Sequence, residues 1–110
     1  MKKYTFVEIG GQKHPIKFGF NALRKYSAKT DTSLQDLDKL GQEMSLDGAL
    51  TLIHCGIEDG YRAAKQHCEL TIDDLADLID EDFDSIGRCM EVLSEQMGGK
   101  EKKQKANKKK

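Results

Sequence analysis

The sequence predicts an α+β fold, mainly α, in which an N-terminal β-hairpin precedes a bundle of about five helices and a disordered C-terminal tail. Three observations carry this reading. Tyr4-Thr5-Phe6-Val7-Glu8-Ile9 alternates with the two-residue period of a strand and runs into Gly10-Gly11. From Phe20 to Met97 the apolar residues recur instead at steps of three and four, the period of an amphipathic helix. Beyond Gly99 one alanine is the only apolar residue, too little burial to offset the entropy of ordering a chain. The chain therefore divides into a single folded domain, residues 1–99, and a Lys-rich tail, residues 100–110, with the hairpin at 4–18 and the helices at about 21–97.

In the hairpin, Tyr4 and Phe6 fall on one face of the first strand, and Thr5, Val7 and Ile9 on the other. Gly10-Gly11-Gln12-Lys13 supplies the positive-φ residues of the turn. A second strand from His14 to Phe18 places Ile16 and Phe18 together, and Pro15 points to an edge or a strand start because it cannot donate to a ladder. Asn21 then caps a short helix containing Ala22, Leu23 and Tyr26, which ends near Lys29-Thr30-Asp31. Ser33 with Asp36 opens a second short helix whose Leu34, Leu37 and Leu40 share a face, and Gly41 stops it.

Ser45 opens the longest helix, which reaches roughly to His67. Leu46, Ala49, Leu50, Ile53, Ile57, Tyr61 and Ala64 form one apolar stripe along it. Gly56, Gly60 and Ala64 form a neighbouring line four residues apart. Each helical glycine costs about 1 kcal/mol relative to alanine, so the line implies either close approach of another helix or a helix break. Thr71 with Asp74 makes a capping box for the next helix, with Ile72, Leu75, Ala76, Leu78 and Ile79 on its apolar face. The last helix runs from about Phe83 to Met97, carries Ile86, Met90, Leu93 and Met97 in a 4-3-4 spacing, and ends at Gly98-Gly99.

Composition excludes several classes. The chain has 110 residues, 37% of them hydrophobic and only 6% aromatic, which suits one modest core and not a large rigid pocket. No apolar run approaches the roughly 20 residues that span a bilayer. Glu8 interrupts any signal-peptide apolar region after Met1-Lys2-Lys3, so a cytosolic location is expected. Cys55, Cys68 and Cys89 are odd in number and lack disulfide spacing, as in a reducing compartment. The net charge of -1 conceals an asymmetry. Residues 100–110 hold seven lysines and one glutamate, a charge of +6; of the 18 basic and 19 acidic residues, 11 and 18 remain in the domain, a charge of -7.

Candidate chemical sites fail at named positions. Asp80, Asp82, Asp84 and Glu91 occupy positions 1, 3, 5 and 12 of an EF-hand calcium loop, but Ser85 stands where that loop needs glycine, and Arg88 falls at position 9. An EF-hand-like calcium-responsive helical binding module is the alternative function these residues would imply, and a solvated interhelix loop is the expected reading. His54-Cys55 and His67-Cys68 chelate poorly, because adjacent helical residues point about 100° apart. Small core cysteines and surface histidines are the expected roles, with no metal and no cofactor. No nucleophile motif surrounds any serine or cysteine, so no catalytic residue is assigned. The tail's lysines invite a small nucleic-acid-associated regulator, yet the tail lacks arginine and aromatic residues and the domain is acidic, so nucleic acid is not the expected partner.

Taken in order, these features resemble the tail assembly chaperones of long-tailed (siphovirus-type) bacteriophages. The matching stretches are Ile16-Lys17-Phe18-Gly19-Phe20-Asn21-Ala22-Leu23 after a short hairpin, Thr32-Ser33-Leu34-Gln35-Asp36-Leu37, Ser45 to Ile57, and Leu70 to Asp80, so the likeness covers about residues 4–97. It implies a protein of the host cytoplasm, absent from the mature virion, that binds the tape measure protein and keeps it soluble without catalysis. The tail tube protein is a further candidate partner, and self-association is expected. Such families also make a longer product by ribosomal frameshifting, and the A-rich codons of Lys108-Lys109-Lys110 suit a slippery site. Candidate partner-binding residues are Leu46, Leu50, Ile53 and Ile57 on the long helix and Met90, Leu93 and Met97 on the last, methionine being suited to adaptable surfaces. The competing reading makes both stripes ordinary core. The acidic faces, with Asp73, Asp77, Asp80, Glu81, Asp84 and Glu95, would keep such a surface in solution.

Overall fold

The computed structural model describes residues 4–33 and 44–96. Strand β1 is Thr5–Ile9 and β2 is Gln12–Ile16, paired antiparallel with Ile9 opposite Gln12 and Thr5 opposite Ile16. The loop is therefore two residues, Gly10 and Gly11, with φ of 60° and 82°. Positive φ at both central residues is what a type I′ hairpin turn requires. The shorter loop explains why β2 begins at Gln12, two residues before the expected His14. Ile9 and Gln12 close the loop as a hydrogen-bonded pair, and such pairs alternate along an antiparallel ladder. Pro15, opposite Phe6, falls in a non-hydrogen-bonded pair, so its missing N–H subtracts nothing from the ladder. The same parity turns the backbone of Lys17 outward, where its N–H donates to the Gly56 carbonyl at 2.9 Å.

Four helices follow among the described residues: α1 (Phe20–Thr30), α2 (Leu46–Ala63), α3 (Ile72–Glu81) and α4 (Ser85–Ser94). The expected count was about five; the body of the short helix expected after Ser33 lies at 34–43, outside the described residues, as do Met97, Gly98-Gly99 and the tail at 100–110. Helix α1 starts at Phe20 with Gly19 at its N-cap and no side-chain cap. Asn21 therefore is not the cap, and its Oδ1 instead accepts from Arg24 Nε and Nη2 at 3.3 and 3.1 Å. The expected caps at Ser45 and Thr71 are formed, while the Ser33–Asp36 arrangement runs into residues outside those described. The Ser45 hydroxyl accepts from Gly48 N–H at 2.9 Å, and Thr71 and Asp74 exchange reciprocal bonds at 3.0 and 3.2 Å.

Helix α2 is the centre of the domain. It carries α1, β2 and α3 around it, while α4 packs beside β1. Surrounded in this way, it is buried at every residue from Thr51 to Ile57 and not along one stripe. Leu52, Ile53, Cys55 and Ile57 join Ile9, Ile16, Ala22, Leu75 and Cys89 as fully buried core. The same enclosure buries His54, whose Nε2 bonds the Leu70 carbonyl at 2.7 Å. His14 is buried too, so only His67 is the surface histidine that composition suggests.

The glycine line of α2 serves a strand, not a second helix, and the helix does not break. A Cβ on Gly60 would stand 2.3 Å from the Pro15 carbonyl oxygen, and one on Gly56 would stand 2.6 Å from the Phe18 ring. The helix closes earlier than the expected His67, in a Schellman arrangement: Gln66 N–H donates to the Tyr61 carbonyl at 2.9 Å and Lys65 N–H to the Arg62 carbonyl at 3.0 Å. Lys65 occupies the left-handed position there, with φ 62°. Among the described residues no helix is long and apolar enough to cross a membrane.

Candidate functional site

The α3–α4 connection shapes an open apolar surface. Only Asp82, Phe83 and Asp84 lie between the two helices, so α4 starts almost against the end of α3. Asp82 anchors this corner. Its Oδ2 accepts from Gly10 N–H at 3.1 Å and pairs with the Arg88 guanidinium, which also donates to the Glu8 carbonyl at 3.0 and 3.2 Å. The hairpin turn, the corner and α4 are thus tied by two side chains. A side chain at Gly10 would be strained by its φ of 60° and would crowd Leu78, whose carbonyl oxygen lies 3.1 Å from the Cβ position.

Arg88 is drawn toward the hairpin, away from Phe83 in the connection. Asp84 is the N-cap of α4, so Phe83 sits at the position that a hydrophobic staple joins to the fourth helical residue. That residue is Arg88. Phe83 is 68% exposed, and Leu46 at the start of α2 is 77% exposed. Both line an open apolar groove of about 210 Å³. Leu50 continues its wall on α2, Ala76, Ile79 and Asp80 contribute from α3, and Ile86 from α4.

The groove brings together two of the seven expected contact residues, Leu46 and Leu50. Ile53 and Ile57 have no exposed surface and Leu93 is buried, so their sites are core, closed to a partner unless the domain opens. Met90 is half-buried against that core, and Met97 lies outside the described residues. Ala76, Ile79, Asp80, Phe83 and Ile86 were not assigned to a contact surface from periodicity. Phe83 alone carried a readable signal, the apolar residue before an N-cap with arginine at the fourth helical position.

Electrostatics around the groove are one-sided. Asp47, Asp77, Asp80, Glu81 and Asp84 are exposed on the elements that form it. Asp80 and Glu81 fall in the last turn of α3, which has no basic residue. Acidic charge at a helix C-terminus has the wrong sign for the helix dipole, and a charge there is worth about 0.3–1 kcal/mol at an exposed end.

Another polar cluster joins β2 to α2. His14 Nδ1 and the Tyr61 hydroxyl are 2.8 Å apart beside an open cleft that also touches His67, Glu69 and Asp74. Burial lowers the His14 pKa and raises that of Tyr61. Burial likewise raises the thiol pKa values of Cys55 and Cys68 and pushes Cys89 up to about 12. Such thiols stay protonated at neutral pH and are poor nucleophiles. Among the described residues no three His, Cys, Asp or Glu side chains converge in a way that could hold a metal ion. The EF-hand spacing does not become a calcium loop. Helix α4 begins at Ser85, the sixth position, so only Asp82, Phe83 and Asp84 lie between the helices, and Asp82 is committed to Gly10 and Arg88. No family model, curated protein or solved structure matches the chain.

Proposed function

We propose that the protein is a phage tail assembly chaperone, which binds the tape measure protein in the host cytoplasm and keeps it soluble during tail assembly, without catalysis. The observation that carries the reading is the open apolar groove, with Leu46 and Phe83 presented to solvent beside acidic residues. Burying each of these side chains under a partner contributes about 1.5–3 kcal/mol. Two such anchors in a shallow groove suit a client that is held in transit and then released. The surrounding carboxylates keep the unliganded protein in solution despite that surface. The resemblance of residues 4–97 to these chaperones, self-association included, agrees with a binding role.

Co-expression with a long, helix-rich tape measure protein tests the proposal. The soluble yield of the client should rise with the native protein and fall back to the unassisted level with Leu46→Ser/Phe83→Ser. An unchanged yield with the native protein would remove the chaperone reading. The arrangement of the genes offers an independent check: a tape measure gene should lie downstream.

A further inference from the structure

We infer that the groove takes a cationic amphipathic helix, packing its apolar side chains on Leu46 and Phe83 and setting a lysine or arginine against Asp80 at the end of α3. The inference rests on the chaperone reading for the origin of that helix, a segment of the tape measure protein. Its chemistry comes from the groove itself.

Three features select this occupant. The first is size and polarity. An engineered apolar cavity of about 150 Å³ holds one benzene, so the groove's volume of about 210 Å³ accepts one or two leucine-sized side chains. An open groove of that size suits the anchors of an amphipathic helix, spaced three or four residues apart. The second is charge. Asp80 is the only ionisable group among the described lining residues, and its surroundings on α3 contain no lysine or arginine. A cation on the occupant has no like charge on α3 to oppose it.

The third is the strained sign of the α3 terminus. Asp80 and Glu81 add negative charge where the helix dipole is already negative. In the free protein this arrangement is unfavourable, and the neutralising partner used at Asp82, Arg88, is held on the hairpin side. A cation at Asp80 would offset the excess negative charge at this helix end. An anionic helix would add to the conflict. The groove thus discriminates by charge while gripping by apolar contact.

The test uses the full chain and two synthetic helical peptides, each about five turns long. Both carry the same leucine stripe, flanked by lysines in one and glutamates in the other, and binding is read by fluorescence anisotropy at two salt concentrations. The lysine peptide should bind at least tenfold more tightly than the glutamate peptide and weaken as salt rises. Asp80→Lys should weaken it at least fivefold while holding or raising the melting temperature, a pairing that mere unfolding cannot produce. Glu69→Lys makes the same charge change in the separate cleft and should alter the affinity less than twofold. Leu46→Ser/Phe83→Ser should abolish binding.

Equal binding of the two peptides, or equal loss with Asp80→Lys and Glu69→Lys, overturns the inference. The outcomes separate from those of the chaperone reading. If the native protein raises the client's yield but prefers neither peptide, the chaperone reading stands and the cationic occupant is rejected. If the lysine peptide binds as expected but the yield does not rise, the groove's preference stands and the client must be another protein.

Discussion

Replacing Gly60 with alanine separates two opposing effects of one methyl group. As a helix-interior substitution it should stabilise, since alanine gains about 1 kcal/mol over glycine. In this domain, however, the new Cβ would lie 2.3 Å from the Pro15 carbonyl oxygen, 2.4 Å from its carbon and 2.5 Å from Ile16 N. Ordinary C···O contacts lie near 3.3–3.6 Å, so the Pro15–Ile16 peptide must retreat by about 1 Å. These are backbone atoms, and no side-chain rotation relieves the overlap. The retreat strains the neighbouring Lys17 N–H to Gly56 carbonyl bond, whose loss costs about 1 kcal/mol. Overpacking of this kind adds about 1–3 kcal/mol. After subtracting the propensity gain, the net destabilisation is about 1–3 kcal/mol, and the unyielding backbone places it toward the upper end.

Far-UV circular dichroism during thermal and urea unfolding measures the effect. A loss of about 3 kcal/mol lowers the melting temperature by about 12 °C or more in a domain of this size. Gly87→Ala is the matched control, because it lies in α4 with nothing within 4 Å of the new methyl group. It should stabilise by up to about 1 kcal/mol. If Gly60→Ala raises the melting temperature as Gly87→Ala does, helix α2 does not touch β2 as described.

Three other perturbations probe independent contacts. Asp82→Ala removes the acceptor shared by Gly10 N–H and Arg88 and should cost about 2 kcal/mol, the scale of hydrogen bonds to charged groups; a change below about 0.5 kcal/mol in urea unfolding would show that the corner is held by packing alone. Lys65→Gly relieves a left-handed residue without touching the Schellman bonds and should stabilise by about 1 kcal/mol; a lower melting temperature would contradict that geometry. Burial lowers the folded-state pKa of His14, so its contribution is complete above the ordinary value of about 6.5. It is lost as pH falls from there through the folded pKa, because the unfolded chain takes the proton first. His14→Gln should therefore narrow the difference in melting temperature between about pH 8 and pH 5, and an unchanged difference would assign that pH dependence to other groups.

Features that depend on a few neighbouring residues were legible in the sequence. The Thr71–Asp74 box and the Ser45 cap each need only three residues of spacing, and both formed. The alternation of β1 put Val7 and Ile9 on one face, and it is that face which the helices bury. Asn21 misled because a capping residue type says nothing about where the preceding turn releases the chain. The glycine line on α2 announced a close approach, yet the identity of the approaching element is a tertiary fact. His54 looked like a surface residue because its burial depends on α1, β2 and α3 closing around α2 together. For the groove, Leu46 and Leu50 stood on a visible stripe. Ile79 and Ile86 join them only because the α3–α4 loop is three residues long, which periodicity does not encode.

The bond between Lys17 and Gly56 also sets an order of events during synthesis. A two-stranded hairpin is marginal by itself in water, and the surface that secures β2 is the glycine face of α2, more than forty positions later in the chain. At translation rates of about 5–20 residues per second, the hairpin segment waits roughly 2–9 s for its helical support. Until then Val7, Ile9 and Ile16 have no permanent cover. The ribosome therefore delivers the least self-sufficient part of the domain first, and β1 waits longer still, until α4 follows, for the helix that packs beside it.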